Sequence, residues 1–485
     1  MNSVVTNIGY NTVYKGLTVV VQIVTGAMLA RTLNADDFGV VGIAMIVTGF
    51  IGQFSNFGVN AALVQREVLT DEVLETSQAL NVMFAGVLFL CAEASAPFLT
   101  GIFNNAAVPR VVSVLALTFL IGTPGFLPSA MLTREMRFGR LRAPAIMGTV
   151  ARGLVGVGCA LSGLRYWSLV AGMLAGSICT AVMLRIVRPC KAAWRLDVDT
   201  SVELLRYGAP LFGSTLLAFL LFNVDNFMIG SRMGAKELGY YTIAFTWASF
   251  VCSTLSETVH SVLFPQFSRM QMNRADLAAM YCRSLRAVVF FAAMANAALF
   301  AVSDGFLFTV LGKGTPRWLP SLYPLQILCV YGAIRAAVEP IGNVIMALGR
   351  TNVLMRASLL AVIPQVCLLP IVIAKWGLPG VACLVCGAYG IQWVLYGPFL
   401  KRELGVGTRR ILKLTTPALA SAVSGVFVSK LIALADPLSW GSIVVRLIAV
   451  CLPFIVVHEA LTRGSIAGEI GFLLKAGKRN FPVST

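Results

Sequence analysis

The chain has 485 residues, of which 58% are hydrophobic and 12% are charged, whereas charged residues make up about a quarter of an ordinary soluble domain. This composition excludes a soluble globular protein and predicts an all-α polytopic membrane protein. The formal net charge of +17 falls in short segments between apolar runs and lacks the interleaved aromatic residues of a single-strand-binding surface. Nucleic acid is therefore not an expected partner.

Apolar runs of about 20 residues, the length that crosses a hydrocarbon core of about 30 Å, predict the membrane-spanning helices. Fourteen such runs are found, over residues 8–30, 39–63, 77–100, 109–131, 144–163, 166–187, 208–230, 239–262, 286–311, 321–348, 354–374, 379–400, 411–434 and 440–461. We predict an N-terminal lobe of six helices over residues 1–195 and a C-terminal lobe of six helices over residues 196–405. Two further helices lie within residues 406–462, and residues 463–485 form a cytoplasmic tail.

The distribution of Lys and Arg predicts how the chain is oriented. Alternate connections, beginning with the one that holds Arg66, carry 25 Lys and Arg residues, and the other connections carry nine. By the positive-inside rule the first set faces the cytoplasm, so both termini are expected there. The outward-facing connections are short and leave no room for an extracytoplasmic catalytic domain. We therefore expect no catalytic residues and a protein that is not an enzyme.

An internal repeat occurs at an offset of 200 residues. The segment ARTLNADDFGVVGIA at 30–44 aligns with GSRMGAKELGYYTIA at 230–244, with identities that include Ala35/Ala235 and Gly39/Gly239. Six predicted helices separate the two copies, so both copies enter the membrane in the same direction. The repeat predicts two lobes related by a pseudo-twofold axis along the membrane normal, with a transport site between them.

Several segments carry a family resemblance: ARTLNADDFGVVGIA running on to FGVNAALVQREVLTDE, FNVDNFMIGSRMGAKELGYYTIAF, SVLFPQFSRMQMN, and VLGKGTPRWLPSLYPLQILCVYGAIRA followed by GNVIMALGR. They resemble the Wzx-type polysaccharide flippases, lipopolysaccharide biosynthesis proteins of the multidrug/oligosaccharidyl-lipid/polysaccharide exporter superfamily. The resemblance implies translocation of an undecaprenyl-pyrophosphate-linked oligosaccharide across the bacterial inner membrane for exopolysaccharide, capsule or O-antigen synthesis. A polysaccharide polymerase and a chain-length regulator are the implied partners. No cofactor is implied, and coupling to Na⁺ or H⁺ stays open.

Four basic residues, Lys15, Arg152, Arg335 and Arg446, lie inside predicted spans. A charged side chain near the bilayer centre costs about 2.5–3.5 kcal/mol, so such residues are expected to face a cavity or a partner. We assign Lys15, Arg152 and Arg335 to the binding of a pyrophosphate or an acidic sugar, with snorkelling to the cytoplasm as the alternative for Lys15. Arg446 is expected to be an anchor at the membrane surface. Glu339 lies one helical turn after Arg335. It either neutralises Arg335 within the lobe or partly offsets the charge of Arg335 while that residue binds substrate.

Three further ionisable residues are candidates for ion coupling. Asp225 lies in the most polar patch of span 208–230, and the resemblance associates an acid on this span with a coupling cation. Hydrogen bonding between helices is the alternative for Asp225. Glu257 and His260 could share a proton because His titrates near neutrality, and packing explains them equally well. The chain has two His, and its one C-x-x-C pair, Cys383 and Cys386, lies inside an apolar run and has no second pair, so no metal site is expected.

Two other functions stay open. An integral membrane polysaccharide polymerase or ligase would need catalytic residues on a sizeable outward-facing loop. A multidrug cation antiporter of the same superfamily would need an acidic cavity. Because the deep charges are mainly basic, we expect a cationic central cavity that opens alternately to the two sides of the membrane.

Overall fold

The computed structural model describes the backbone of residues 2–55, 59–60, 63, 66, 69–135, 137–190, 195–432 and 438–462. Within these ranges the side chains of residues 2–15, 138, 207–215, 217–218, 221, 251, 255–262, 264–265 and 351 lie outside the description. The described backbone is helical apart from short connections and contains no strand.

Thirteen long helices make up the described chain. They are α1 (Asn2–Thr32), α2 (Ala35–Gly52), α3 (Asp71–Phe103), α4 (Ala107–Arg134), α5 (Phe138–Leu161), α6 (Tyr166–Val187), α7 (Val198–Arg232), α8 (Ala235–Arg269), α9 (Arg274–Ala301), α10 (Leu322–Ala347), α11 (Thr351–Leu404), α12 (Thr408–Leu431) and α13 (Trp440–Thr462). Short helical turns at Ser303–Gly305, Phe306–Leu311 and Pro316–Ser321 join α9 to α10.

Ten membrane spans are found by length and apolar composition within the described ranges. They confirm the predicted class, an all-helical polytopic membrane protein. Helix α11 covers two predicted spans, 354–374 and 379–400, and it is broken at Gly377, where φ is 58°. Glycine adopts this left-handed conformation without a Cβ clash, so the chain can change direction there. The total of fourteen spans stays a prediction.

The first compact unit comprises Met1–Gly239. Within it α5 packs along α6, α3 along α4, and α1 against α5. Glycines make the α5–α6 contact: a Cβ at Gly172 would lie 2.7 Å from the carbonyl oxygen of Arg152, and a Cβ at Gly176 would lie 2.9 Å from that of Gly148. Small residues at these positions let the two backbones approach closely, which is a common basis of helix association in membranes.

The residues that the repeat aligns also contact each other reciprocally. A Cβ at Gly39 would overlap the carbonyl oxygen of Ala235, and a Cβ at Gly239 would overlap that of Ala35. Both contacts lie at helix starts, since Ala35 opens α2 and Ala235 opens α8. Such an exchange of equivalent contacts is the geometry expected of two segments related by a twofold axis.

The second compact unit comprises Tyr240–Thr485. Its core is formed mainly by α9 and α10, and α12 and α13 add Ile411, Ala418 and Phe454 to the same core. The two C-terminal helices are therefore packed into this unit. The division at Gly239/Tyr240 lies within α8, whereas the sequence predicted lobe boundaries at 195/196 and 405/406. That residues 1–195 and 196–405 move as two lobes stays a prediction.

The expectation that Arg446 is an anchor at the membrane surface is wrong. Its Nη1 donates to both carboxylate oxygens of Asp304, at 2.9 and 2.8 Å. The Arg446 side chain is 16% exposed, and the pair ties α13 to the turn that follows α9. A deep guanidinium is thus neutralised by an acid 142 residues earlier in the chain, a partner that local sequence spacing does not reveal.

Candidate functional site

A cavity of about 590 Å³ lies within the first unit, among α3, α4, α5 and α6. Its wall contains both polar and apolar residues, and we call it the polar cavity after the former. Its volume falls in the usual range for ligand sites, about 300–1,000 Å³. The polar residues of its wall are Ser55, Asn60, Asn81, Thr118, Thr123, Ser129, Thr149, Arg152, Ser177 and Thr180. Arg152 is the one charged residue among the described lining residues, so the described wall carries a single positive charge.

Arg152 lies close to the middle of α5, about 21 Å from the start of the helix at 1.5 Å per residue. The glycine contacts between α5 and α6 hold its backbone, and its Cβ would be 3.0 Å from a Cβ at Gly176. Because Gly176 carries no side chain, α6 leaves the space that the Arg152 side chain uses to enter the cavity. The structure thus places the predicted cation in a polar cavity within the first unit.

The guanidinium of Arg152 has no acidic partner in the described part of the chain. No carboxylate there approaches it within salt-bridge distance, although the side chain is exposed to the cavity. A guanidinium carries five N–H donors in a planar fork that fits the paired oxygens of a carboxylate or a phosphate. Arg152 is therefore available to bind an anion.

The hydroxyl groups of the cavity are oriented by their own helices. Thr180 Oγ1 donates to Gly176 O at 2.8 Å, Thr149 Oγ1 to Ala145 O at 3.0 Å, and Thr123 Oγ1 to Leu120 O at 2.9 Å. Each hydroxyl proton is used in this way, so the oxygen lone pairs remain to accept hydrogen bonds from a ligand. The wall can accept hydrogen bonds from sugar hydroxyls while Arg152 binds an anionic group.

The second predicted cation, Arg335, is paired within its own helix. Its Nε lies 3.0 Å from Glu339 Oε1, and the two side chains are 23% and 29% exposed. Its Nη1 also donates to the Tyr331 hydroxyl at 3.5 Å, and the Tyr331 ring packs edge-on against that of Tyr389 at 4.9 Å. This arrangement matches the self-neutralised pair, one of the two alternatives predicted for Arg335 and Glu339.

The other predicted site residues are only partly described. The side chains of Lys15, Glu257 and His260 lie outside the described residues. Asp225 is 4% exposed on α7, where Asn226 Nδ2 donates to its Oδ1 at 3.4 Å. A role for Asp225, Glu257 or His260 in ion coupling stays a prediction. Among the described residues, no group of three or more His, Cys, Asp or Glu is placed to hold a metal ion.

Sequence reasoning missed the wall around Arg152. The hydroxyl residues come from several helices and show no common spacing along the chain. One signal was available: Gly148, Arg152 and Gly156 recur at intervals of four on α5, and Gly172 and Gly176 do the same on α6. That spacing marks two faces made for close helix contact.

Comparison with known proteins identifies the family. The sequence profile of a family described as polysaccharide biosynthesis protein matches residues 28–322, more than half of the chain. The chain belongs to this family of polysaccharide biosynthesis proteins. The resemblance drawn from the sequence segments is therefore confirmed.

Two relatives are similar to this polysaccharide biosynthesis protein over part of their length. The lipopolysaccharide biosynthesis protein WzxC of Escherichia coli (strain K12) is 24% identical over 335 residues, which cover 67% of this chain and 66% of WzxC. The succinoglycan biosynthesis transport protein ExoT of Rhizobium meliloti (strain 1021) is 27% identical over 276 residues, which cover 56% of this chain and 55% of ExoT. The match thus spans about two thirds or less of each relative's length.

A solved structure shares the fold. The lipid II flippase MurJ, in an inward closed conformation, aligns with a TM-score of 0.78 over 93% of this chain and 98% of MurJ, at 13% sequence identity. The names of ExoT and MurJ describe a transport protein and a flippase, in agreement with the expectation of a transporter rather than an enzyme.

Proposed function

We propose that this polysaccharide biosynthesis protein is a flippase for undecaprenyl-pyrophosphate-linked oligosaccharide repeat units in the bacterial inner membrane, serving exopolysaccharide, capsule or O-antigen synthesis. The names of WzxC and ExoT and the MurJ fold support a transporter in such a pathway. The single observation that carries the proposal is Arg152, a cation midway along a membrane helix that faces a polar cavity and has no described acidic partner.

The barrier to be overcome is the charge of the head group. Moving even one ion from water into a medium of dielectric constant about 4 costs on the order of 20 kcal/mol in the Born limit. In our proposal Arg152 binds the pyrophosphate or the carboxylate of an acidic sugar through paired N–H donors, and the cavity hydroxyls accept hydrogen bonds from the sugar. The polyprenyl tail remains in lipid while the lobes open alternately to the two sides.

The membrane potential favours this direction of transport. The inside of the membrane is negative, so two negative charges that move outward move down the electrical gradient. This releases about 4.6 kcal/mol per 100 mV, at about 2.3 kcal/mol per charge. Coupling to Na⁺ or H⁺ through Asp225, Glu257 or His260 is then auxiliary. An ionophore that collapses the pH gradient while the potential is held should leave most of the transport intact. Loss of transport under those conditions would instead make proton coupling essential.

The alternative functions fit the cavity less well. A multidrug cation antiporter needs carboxylates to bind its cargo, and the described lining of this cavity contains an arginine and no acid. A polymerase or ligase needs a catalytic constellation, whereas the described lining offers hydroxyls that are hydrogen-bonded to their own helices. The cavity therefore favours an anionic, hydroxyl-rich cargo.

The proposal is tested with the full-length protein in proteoliposomes that contain a lipid-linked oligosaccharide with an accessible label. The Arg152→Gln variant should lower the flipping rate about 10-fold to 100-fold, since a hydrogen bond to a charged group contributes about 1.5–3 kcal/mol. The Arg152→Lys variant should recover part of the rate. Arg110→Gln, which removes an exposed arginine near the start of α4, is the matched control. An unchanged rate in Arg152→Gln would refute the cavity as the anion site.

Orientation and partners belong to the same proposal. We expect both termini in the cytoplasm and a polysaccharide polymerase and a chain-length regulator in the same pathway. Reporter fusions at the two ends of the chain should both give a cytoplasmic signal. Periplasmic signals from both fusions would reverse the predicted orientation, and a periplasmic signal from one fusion alone would contradict an even number of spans.

A further inference from the structure

A second concave surface lies on an exposed side of α4 and α6 in the first unit. It is an apolar groove of about 300 Å³ between α4 and α6. Its floor on α6 is formed by Ile178, Val182 and Ile186, which are 48%, 49% and 62% exposed. Residues four apart lie on one helix face, so these three side chains form a continuous strip. The strip extends about 12 Å at 1.5 Å per residue, close to the thickness of one leaflet, which is about half of 30 Å.

A basic residue lies at one end of this groove. Arg185 belongs to the groove wall and is two residues from the end of α6. In the described part of the chain no carboxylate lies within salt-bridge distance of Arg185, whereas Arg188, one turn further on, is paired with Glu135 at 2.9 Å. The groove therefore combines an apolar floor of leaflet length with an available cation in the last turn of α6.

The groove and the polar cavity share a wall. Ala181 contributes to both. The two helices are in contact at this wall, because a Cβ at Gly125 on α4 would lie 3.1 Å from Leu184 Cδ1 and 3.4 Å from Ala181 Cα on α6. A molecule in the groove cannot extend into the cavity through this contact. This contact favours an occupant that stays on the exposed side of α4 and α6.

We propose that this groove is a binding site for an anionic phospholipid, with one acyl chain along Ile178, Val182 and Ile186 and the phosphate at Arg185. Basic pockets at the ends of membrane helices bind anionic head groups in this way. A bound chain packs against the α4–α6 wall from the lipid side, and the polar cavity lies on the other side of that wall. Lipid binding therefore stabilises the wall of the cavity and holds Arg152 on α5 in register with α6.

The binding experiment uses the full-length protein in detergent, titrated with phosphatidylglycerol or phosphatidylcholine, with adducts counted by native mass spectrometry and stability followed by thermal unfolding. Phosphatidylglycerol should form one retained adduct and raise the unfolding temperature, and phosphatidylcholine should do so less. In Arg185→Gln the adduct should weaken about fivefold, the change expected for one basic residue near an anionic surface. Arg110→Gln, which is near the start of α4 and outside the lining of the groove, should bind like the wild type.

A second pair of variants tests the acyl chain. Val182→Trp fills the groove and should abolish the retained adduct, whereas Leu154→Trp, at a lipid-facing position 71% exposed on α5, should leave it unchanged. Equal phosphatidylglycerol binding by the wild type, Arg185→Gln and Val182→Trp would overturn the proposal. Displacement of phosphatidylglycerol by equimolar undecaprenyl phosphate would also overturn it, because the groove would then belong to the substrate tail. Neither readout depends on flipping, so the result stands apart from the test of the proposed function.

Discussion

The two deep arginines that sequence reasoning grouped together have opposite surroundings. Arg152, in the first unit, faces a cavity of about 590 Å³ and has no acidic partner among the described residues. Arg335, in the second unit, lies 3.0 Å from Glu339 on its own helix and donates to Tyr331. Both arrangements lower the cost of a charge in the membrane, one through a polar cavity and the other through a counter-ion.

This difference between the two arginines indicates where an anion can bind. An anion that approaches Arg335 has to compete with Glu339, which already occupies the guanidinium. An anion that approaches Arg152 replaces only the hydration of the cavity. The first unit should therefore provide most of the binding energy for the head group, and the Arg335–Glu339 pair should serve mainly to stabilise the second unit.

The largest effect should come from comparing the two arginines directly. Arg152→Gln should reduce flipping about 10-fold to 100-fold. The double variant Arg335→Gln/Glu339→Gln, which removes both charges of the pair, should keep the rate within about threefold, because substituting both members leaves no unpaired charge. Flipping rates in proteoliposomes at equal protein content measure both. A loss in the double variant as large as that in Arg152→Gln would show that the second unit also binds the head group.

The next effect concerns the glycine contacts between α5 and α6, which position Arg152. Gly176→Ala places a methyl group 2.9 Å from Gly148 O and 3.0 Å from the Arg152 Cβ, so α5 and α6 must separate. Such overpacking costs about 1–3 kcal/mol, and flipping should fall because Arg152 is displaced. Thermal unfolding and flipping are measured together.

The matched control for Gly176→Ala is Gly158→Ala on α5, where no atom lies within 4 Å of the added Cβ. This variant should be neutral or slightly stabilising, since alanine restricts the unfolded chain. If Gly158→Ala impaired flipping as much as Gly176→Ala, helix flexibility rather than the position of Arg152 would explain the loss.

The sequence was informative wherever a property depends on composition or local spacing. Apolar runs predict the helical class, and an interval of four residues predicts the Arg335–Glu339 pair as one of two alternatives. The offset repeat aligns Gly39 with Gly239, although it did not predict that each would contact the other segment. The partner of Arg446 and the hydroxyl wall around Arg152 could not be predicted in this way. Both bring together residues from separate helices, and their meeting depends on how those helices pack.

A smaller effect should come from the third described deep arginine, Arg446. Arg446→Lys should destabilise the protein, because both hydrogen bonds to Asp304 come from the single nitrogen Nη1 and the shorter lysine side chain does not reach the position of that nitrogen. A simple surface anchor would tolerate lysine. Arg446→Gln should be more destabilising than Arg446→Gln/Asp304→Asn, which leaves no unpaired carboxylate. Thermal unfolding measures the series, and an unchanged unfolding temperature in Arg446→Lys would restore the role of an anchor.

The smallest effect concerns a carboxylate outside the membrane spans, Asp197, which caps α7. Its Oδ2 accepts a hydrogen bond from the Thr200 backbone N–H at 2.7 Å, and this bonding, aided by the nearby charge of Arg195, holds the pKa of Asp197 below its usual value. A carboxyl group with a lowered pKa in the folded state stabilises the protein above its unfolded pKa, and that contribution is lost as the pH falls through the folded pKa.

Asp197→Ala should therefore lower the unfolding temperature slightly at neutral pH, and the difference from the wild type should shrink as the medium is acidified below about pH 4, the ordinary pKa of aspartate. A difference that stayed constant with pH would mean that the side chain acts through packing and not through its charge. Unlike Arg152, which depends on a polar cavity inside the membrane, Asp197 needs only the free N–H groups at a helix start to remain ionised.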